Sequence, residues 1–383
     1  MRRVILTTGG TGGHIFPALA VAEEITRRYP KARILFLGGQ YGPEADLAAR
    51  AGLEYVGLPV RGVMGRGLRA VAAAGAMGLG VWRAVSVVRR FDPDIAVGFG
   101  GYAAFAGVLA ARLCGRPAAI HEQNAIPGLT NRLLGHMVQR VFLSLPDTAG
   151  VFPARRCVAT GNPVRAAIVA AGATVDAGAA EGGGALRSAH SRRLLVMGGS
   201  LGARAINEAV VAALPALRDA GVELWHQTGV ADWERVRAGY KQAGISEARV
   251  EAFIDDVASA YTWADLVLCR AGATSVAELA VAGKPSVLVP FPFATHNHQL
   301  HNARHVADAG AALVVEQKDI TPGAGSHDGQ PAVAPVSLDR VLVELLADRA
   351  RLADMGRAAR AMGRPQAAAA VVDGMEAILA GRR

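Results

Sequence analysis

Val4-Ile5-Leu6-Thr7-Thr8-Gly9-Gly10-Thr11-Gly12-Gly13-His14 is the stretch whose reading decides the fold. Val4-Ile5-Leu6 reads as a short buried strand, and from Ala18 onward Leu19, Ala22 and Ile25 recur at helical spacing. Between strand and helix lie four glycines in five positions, ending in a histidine. Glycine there lets the backbone take positive φ and come close to a ligand. The helix that follows presents unpaired N–H groups and a positive dipole end, a seat for an anion or a polarised hydroxyl. His14 stands at that end as a candidate base. A tight strand–helix turn with an incidental histidine is the other reading of the same residues.

Working outward, strand-like runs recur at Ile34–Leu37, Tyr55–Leu58, Ile95–Val97, Ala118–Ile120 and Val141–Leu143, most of them separated by helical segments. This is the pattern of an α/β domain, a parallel sheet doubly wound with helices. Ligands in such sheets bind beyond the carboxyl ends of the strands, so strand-end residues carry the weight. His121-Glu122-Gln123-Asn124, Pro127-Gly128 and Asn131-Arg132 crowd polar groups at one such end, a set suited to sugar hydroxyls. Gly161-Asn162-Pro163-Val164-Arg165 reads as a loop leaving the first domain, with an arginine able to pair with phosphate.

Two stretches imitate other chemistries. Gly98-Phe99-Gly100-Gly101-Tyr102-Ala103, with Glu122 about twenty residues on, resembles a dinucleotide fingerprint and keeps a Rossmann oxidoreductase open. Asp92-Pro93-Asp94 imitates a metal-binding D-x-D but precedes a strand, and so reads as a turn. Residues 61–90 place Leu68, Val71, Leu79 and Trp82 on one helical stripe, among Arg66, Arg69, Arg83, Arg89 and Arg90. Such a helix either lies on an anionic membrane or packs on the sheet with its arginines in water. A non-catalytic membrane adaptor therefore also stays open.

From Ala171 to Ser191 the chain is mostly Ala, Gly and Ser, which reads as a flexible connection and a domain boundary. A second cycle begins after it. Leu194–Met197 leads into Gly198-Gly199-Ser200-Leu201-Gly202-Ala203 and a helix, repeating the opening architecture. Leu266–Cys269 ends in Arg270-Ala271-Gly272-Ala273-Thr274-Ser275-Val276-Ala277-Glu278. Thr274 and Ser275 can donate to a pyrophosphate at a helix start, and Glu278 can accept both hydroxyls of a ribose. Ser286–Val289 precedes a loop with His296, His298, Gln299 and Asn302. His301 and His305 have zinc-like spacing, but no third ligand is evident and no metal is expected. Residues 320–337 read as a surface insertion, and an alanine-rich helical stretch closes the chain.

Composition bounds the function. With 383 residues, 51% of them apolar, the chain has room for two or three packed domains. A formal charge of +9 and a pI near 10.0 suit a phosphate-bearing ligand or an anionic surface. Aromatics are only 5% and do not interleave with basic residues, so no nucleic-acid platform is expected. Cys114, Cys157 and Cys269, odd in number and far apart, read as reduced thiols of a cytoplasmic protein. Neither a secretory signal nor an uninterrupted apolar run of ~20 residues is found. The expectation is a protein that is soluble or attached to a membrane surface.

Together, Gly9–His14, Phe99–Tyr102, His121–Asn124, Gly161–Arg165, Gly198–Ser200, Arg270–Glu278 and His298-Gln299 before Asn302 resemble the MurG family in order and context. These bacterial enzymes move N-acetylglucosamine from UDP-GlcNAc onto a lipid-linked muramoyl-pentapeptide. The resemblance runs from residue 5 to about 305. It implies the GT-B fold, two Rossmann-like doubly wound domains facing across a cleft. Residues 1–166, joined by a last helix at about 363–383, would take the acceptor and face the membrane. Residues 167–362 would take the donor. Carried over to this chain, donor contacts would come from Thr11, Gly12, Gly13, Asn124, Arg165, Ser200, Ile254, Ala273, Thr274, Ser275, Glu278 and Gln299. Acceptor contacts would come from His14, Tyr102, His121, Glu122 and Asn131, and membrane contacts from Leu68, Leu79, Trp82, Arg83, Arg89 and Arg90. The family often has an acidic residue where this chain has Thr295-His296-Asn297.

The implied reaction is an inverting displacement with no cofactor and no metal, with His14 as base and Glu122 as second candidate. It turns undecaprenyl-pyrophosphoryl-MurNAc-pentapeptide (lipid I) into lipid II for peptidoglycan synthesis. The implied location is the cytoplasmic face of the bacterial inner membrane, as a peripheral protein with the cell-wall and division machinery as partners.

Overall fold

A computed structural model describes all residues except 11, 61–67, 148, 181–191, 200–201, 295–296, 321–336 and 382–383, and the side chains of 68–74 and 175–180 are also outside the description. The chain divides into two compact units, residues 1–166 with 364–383, and residues 167–363.

The first unit alternates strand and helix. It runs β1 (Arg3–Thr7), α1 (Gly12–Arg28), β2 (Arg33–Gly39), α2 (Glu44–Arg50), β3 (Glu54–Leu58), α3 (Leu68–Phe91), β4 (Ile95–Gly98), α4 (Gly101–Leu113), β5 (Ala118–Glu122), α5 (Leu129–Gly135), β6 (Arg140–Leu143) and β7 (Cys157–Ala159). Every pairing is parallel, in the order β3-β2-β1-β4-β5-β6-β7. The central strands are buried on both faces, which is why they read as unbroken apolar runs. One core layer packs Ala84, Val88 and Phe91 of α3 with α4 against Ile5, Ala96 and Ile120. The other packs Ile15, Val21 and Ile25 of α1 against Val4, Leu6, Phe36 and Phe142.

The second unit repeats the scheme with α6 (Ala166–Ala180), β8 (Arg192–Met197), α7 (Arg204–Asp219), β9 (Val222–Gln227), α8 (Trp233–Gln242), β10 (Arg249–Glu251), α9 (Val257–Trp263), β11 (Leu266–Cys269) and α10 (Ala273–Ala282). It continues through β12 (Ser286–Leu288), α11 (His298–Asp308), β13 (Ala312–Val314), α12 (Gln317–Ile320), α13 (Leu338–Ala347) and α14 (Arg349–Met362). Its sheet, also all parallel, has the order β10-β9-β8-β11-β12-β13.

The last helix, α15 (Ala367–Ala380), belongs to the first unit. Val371, Val372 and Met375 bury against that core, and Gly374 leaves room for the Phe142 ring. The Arg28 guanidinium bonds Asp373 at 2.5 Å and Glu376 at 3.2 Å, and the Tyr29 hydroxyl donates to Glu376.

One expectation needs correction. The run 171–191 is not a flexible connection throughout, because residues through Ala180 complete α6, and the boundary between the units falls between Ala166 and Ala167, ahead of the run. Alanine is the strongest helix former, and composition alone hid the helix. The rest of that run, and 321–336 of the insertion, lie outside the described residues. Among those described, no helix is long and apolar enough to cross a membrane.

Candidate active site

In both sheets the strand order reverses direction once, between β1 and β4 and between β8 and β11. Connections leave such neighbours on opposite faces, opening a crevice at their carboxyl ends where α/β proteins bind ligands. The glycine turn Gly9–Gly13 leaves β1, and Phe99–Gly101 leaves β4. The two turns touch: the Gly9 N–H donates to the Gly100 carbonyl at 3.1 Å. Gly101 has φ +82° and a Cβ there would collide with the Gly9 carbonyl, so only glycine fits. The fingerprint-like spacing at Gly98–Ala103 thus serves the packing of turn on turn, which removes the observation that kept a dinucleotide enzyme open.

Gly12 and Gly13 form the first turn of α1 with His14, while Thr11 lies outside the described residues. The His14 ring is half-buried against Gly100, and its Nδ1 is 3.1 Å from Oε1 of Gln123 at the end of β5. On the other side of the turn the Gly10 N–H donates to Oε1 of the buried Glu44 at 2.9 Å. Tyr102 is partly exposed at the start of α4.

The polar cluster after β5 is largely turned inward. Glu122 is 2% exposed and accepts four N–H groups. Its Oε1 takes the Asn124 backbone and side-chain amides at 3.0 and 3.3 Å, and its Oε2 takes the Gly128 N–H at 3.2 Å and Asn131 Nδ2 at 2.9 Å. A carboxylate with its lone pairs so committed holds the 123–131 loop in shape. Asn131 is buried, and its Nδ2 donates to the His121 carbonyl as well. His121 is buried too, stacked on Phe99, with Nε2 donating to the Gly161 carbonyl at 3.0 Å. Burial holds its imidazole down at about 4, so the ring is neutral at physiological pH and shapes the site from beneath. Arg165, half-buried in the following loop, lays its guanidinium over the Phe16 ring at 4.5 Å.

In the second unit the turn after β8 is drawn tight. The Gly198 N–H donates to the Gln227 carbonyl, and Gly202 has φ +77° close against the Thr228 carbonyl. Ser200 lies outside the described residues. Beneath the turn, the buried His226 meets Tyr240 Oη at 3.1 Å and Asn207 Oδ1 at 3.0 Å. Asn207 Nδ2 donates to the Thr228 carbonyl and to Asp232. Burial lowers the His226 imidazole to about 3.

After β11, Gly272 caps α10, whose first turns carry Ala273, Thr274, Ser275 and Glu278. Glu278 is buried, with its Oε2 accepting from Tyr261 at 3.1 Å. Arg270 donates to the Val289 and Pro290 carbonyls and to Gln317, and burial lowers its guanidinium to about 10. Gln299 accepts from the Phe291 N–H at 3.0 Å, and the Ile254 side chain is buried, leaving its backbone as the available contact. Glu44 and Tyr261, which hold a glycine turn and a carboxylate in place, carry no sequence signal, because their partners are distant in the chain.

On α3, Trp82 is 71% and Leu79 53% exposed, with Arg83, Arg89 and Arg90 also outward, while Ala84, Val88 and Phe91 face the core. The side chain of Leu68 is outside the description. Asp92 and Asp94 clasp Arg3, Arg116 and the backbone of Arg2 at the amino ends of the strands, a structural turn remote from the crevice. His301 and His305 are exposed on α11, and among the described residues no group of three metal-ligating side chains occurs. The three cysteines are free.

The comparisons with known proteins agree with this geometry. Residues 4–143 match the glycosyltransferase family 28 N-terminal domain and residues 193–371 its C-terminal domain. A UDP-N-acetylglucosamine–N-acetylmuramyl-(pentapeptide) pyrophosphoryl-undecaprenol N-acetylglucosamine transferase of Nitratidesulfovibrio vulgaris (strain Miyazaki F) is 94% identical over 382 residues, 100% of this chain and 98% of the relative. The transferase of the same name from Solidesulfovibrio magneticus is 52% identical, covering 96% of this chain and 95% of the relative. The crystal structure of Acinetobacter baumannii MurG superposes with a TM-score of 0.71 at 32% identity, covering 98% of this chain and 99% of that one. With two doubly wound parallel α/β units of the GT-B class, the chain belongs to glycosyltransferase family 28 and, within it, to the MurG transferases.

Proposed function

We propose that this enzyme transfers N-acetylglucosamine from UDP-GlcNAc to the 4-hydroxyl of MurNAc in undecaprenyl-pyrophosphoryl-MurNAc-pentapeptide, with inversion, as a step of peptidoglycan synthesis. The observation that carries the reading is full-length identity to a transferase whose name states donor and acceptor. The geometry supplies the chemistry. The acceptor hydroxyl must lose its proton as its oxygen attacks the anomeric carbon, which calls for a base with a free lone pair. His14 has one ring nitrogen engaged with Gln123 and the other available, whereas Glu122 has none to spare. As the new C–O bond forms, the bond to UDP breaks and its electron pair leaves with the diphosphate. The amino end of α10, with Thr274 and Ser275, is suited to take up that charge.

In this reading the first unit holds the acceptor and the second the donor. Glu278, its second oxygen directed by the Tyr261 bond, takes the ribose, and Gln299 and the Ile254 backbone take the rest of the nucleotide sugar. The outward Leu79 and Trp82, ringed by arginines, attach the protein to the anionic cytoplasmic face of the inner membrane, where a lipid-linked acceptor is held. The same reading makes the cell-wall and division machinery its protein partners. Purified enzyme should release UDP from UDP-GlcNAc only when a polyprenyl-pyrophosphoryl-MurNAc acceptor is supplied. Equal UDP release without acceptor, or none with it, defeats the proposal.

A further inference from the structure

We infer that Gln123 is a positioning residue that sets the tautomer of His14, keeping the proton on Nδ1 and the lone pair on Nε2. The inference deepens the reading of His14 as base and rests on it. Gln123 is 1% exposed, so its amide has no water to turn to. Its Nε2 donates to the Phe99 carbonyl at 2.9 Å, and its Oε1 lies 3.1 Å from His14 Nδ1. Flipping the amide would set two oxygens against each other at the Phe99 carbonyl, which can only accept. The carbonyl therefore fixes the amide, and the amide oxygen in turn requires a donor at His14 Nδ1.

That is the reverse of the tautomer a histidine side chain favours in water, so the protein must impose it. Gly100 leaves the ring the room it occupies. A Cβ at that position would sit 3.0 Å from Nδ1 and Cε1, so a larger residue would push the imidazole away from Gln123. Among ionisable side chains on the surrounding elements, His121 of β5 is buried and neutral and Glu122 of β5 is bound by its own loop. Glu44 holds Gly10, and Tyr102 stands at the start of α4. None of them offers His14 Nδ1 a competing acceptor in the contacts described above. With the tautomer so fixed, Nε2 takes the proton of the 4-hydroxyl, and the imidazolium formed still donates from Nδ1 to Gln123.

The test is 15N NMR of the histidine ring nitrogens in full-length enzyme, with the His14 signals assigned by their loss in His14→Gln. In its neutral form, His14 of the wild-type enzyme should show Nδ1 protonated and Nε2 unprotonated. Gln123→Met, similar in size but without an acceptor, should lose that preference and lower kcat roughly 10- to 100-fold with the KM for UDP-GlcNAc unchanged. An Nε2–H tautomer in the wild type overturns the inference whether or not any variant folds. So does a Met variant with unchanged tautomer and kcat. Failure of the base reading is separate: it shows as a His14→Ala variant within tenfold of wild-type turnover, while the tautomer signal stands.

Discussion

Glu122 and two histidines show how much of this protein is decided by single buried side chains. Because Glu122 accepts four N–H groups, Glu122→Gln brings an amide N–H₂ against two of those donors. Leaving them unpaired should destabilise the first unit by about 3 kcal/mol. The lower denaturation midpoint would be accompanied by lost activity, and an unchanged midpoint contradicts the loop-holding role. His121 and His226 act through pH. Their folded values, about 4 and about 3, lie below the ordinary 6.5, so between these limits the unfolded chain binds protons that the folded chain refuses. The stability they contribute is complete above about pH 6.5 and is lost on acidification toward those lower values. Thermal midpoints should therefore decline steadily as the pH is lowered from 6.5 to 4.5, and a flat profile contradicts the assignment.

The outer face of α3 is the element with the clearest task outside the core. Burying a large side chain is worth roughly 1.5–3 kcal/mol, yet Leu79 and Trp82 forgo that gain and stand in solvent while smaller Ala84 and Val88 face the sheet. Replacing both Leu79 and Trp82 by Asp should abolish flotation with anionic liposomes and leave the fold intact by circular dichroism. Retained flotation would relocate the membrane contact. The sequence showed this helix, its arginines and the stripe holding Leu79 and Trp82, but periodicity marks a stripe without saying whether core or solvent faces it. Long buried strands were equally legible. The three-residue β7 and β13 were too short to stand out, and β9 ends in His226 and Gln227, polar residues buried by a network the sequence does not display. The first part of the 171–191 run, through Ala180, went the other way, because alanine between glycines reads as linker until the helix is seen.

Across the whole molecule, two units of the same winding each place a glycine turn and a helix start at their own switch point. That repetition was legible, because strand, glycines and helix follow one another in the chain. The roles within the cluster were not. His121, Glu122, Gln123 and Asn131 look alike as polar residues at a strand end, and only packing separates a buried prop, a loop clamp and a neighbour of the base. The pairing of His14 with Gln123 spans 109 positions and exists because β5 lies one strand beyond β4 from β1. The central claim is that an imidazole of the first unit removes the proton from the attacking hydroxyl. Its most direct measurement is steady-state transfer of N-acetylglucosamine by His14→Ala beside the wild type, with donor affinity determined on both. The account predicts a kcat lower by about 100-fold or more with UDP-GlcNAc binding unchanged, and turnover within tenfold of wild type would contradict it.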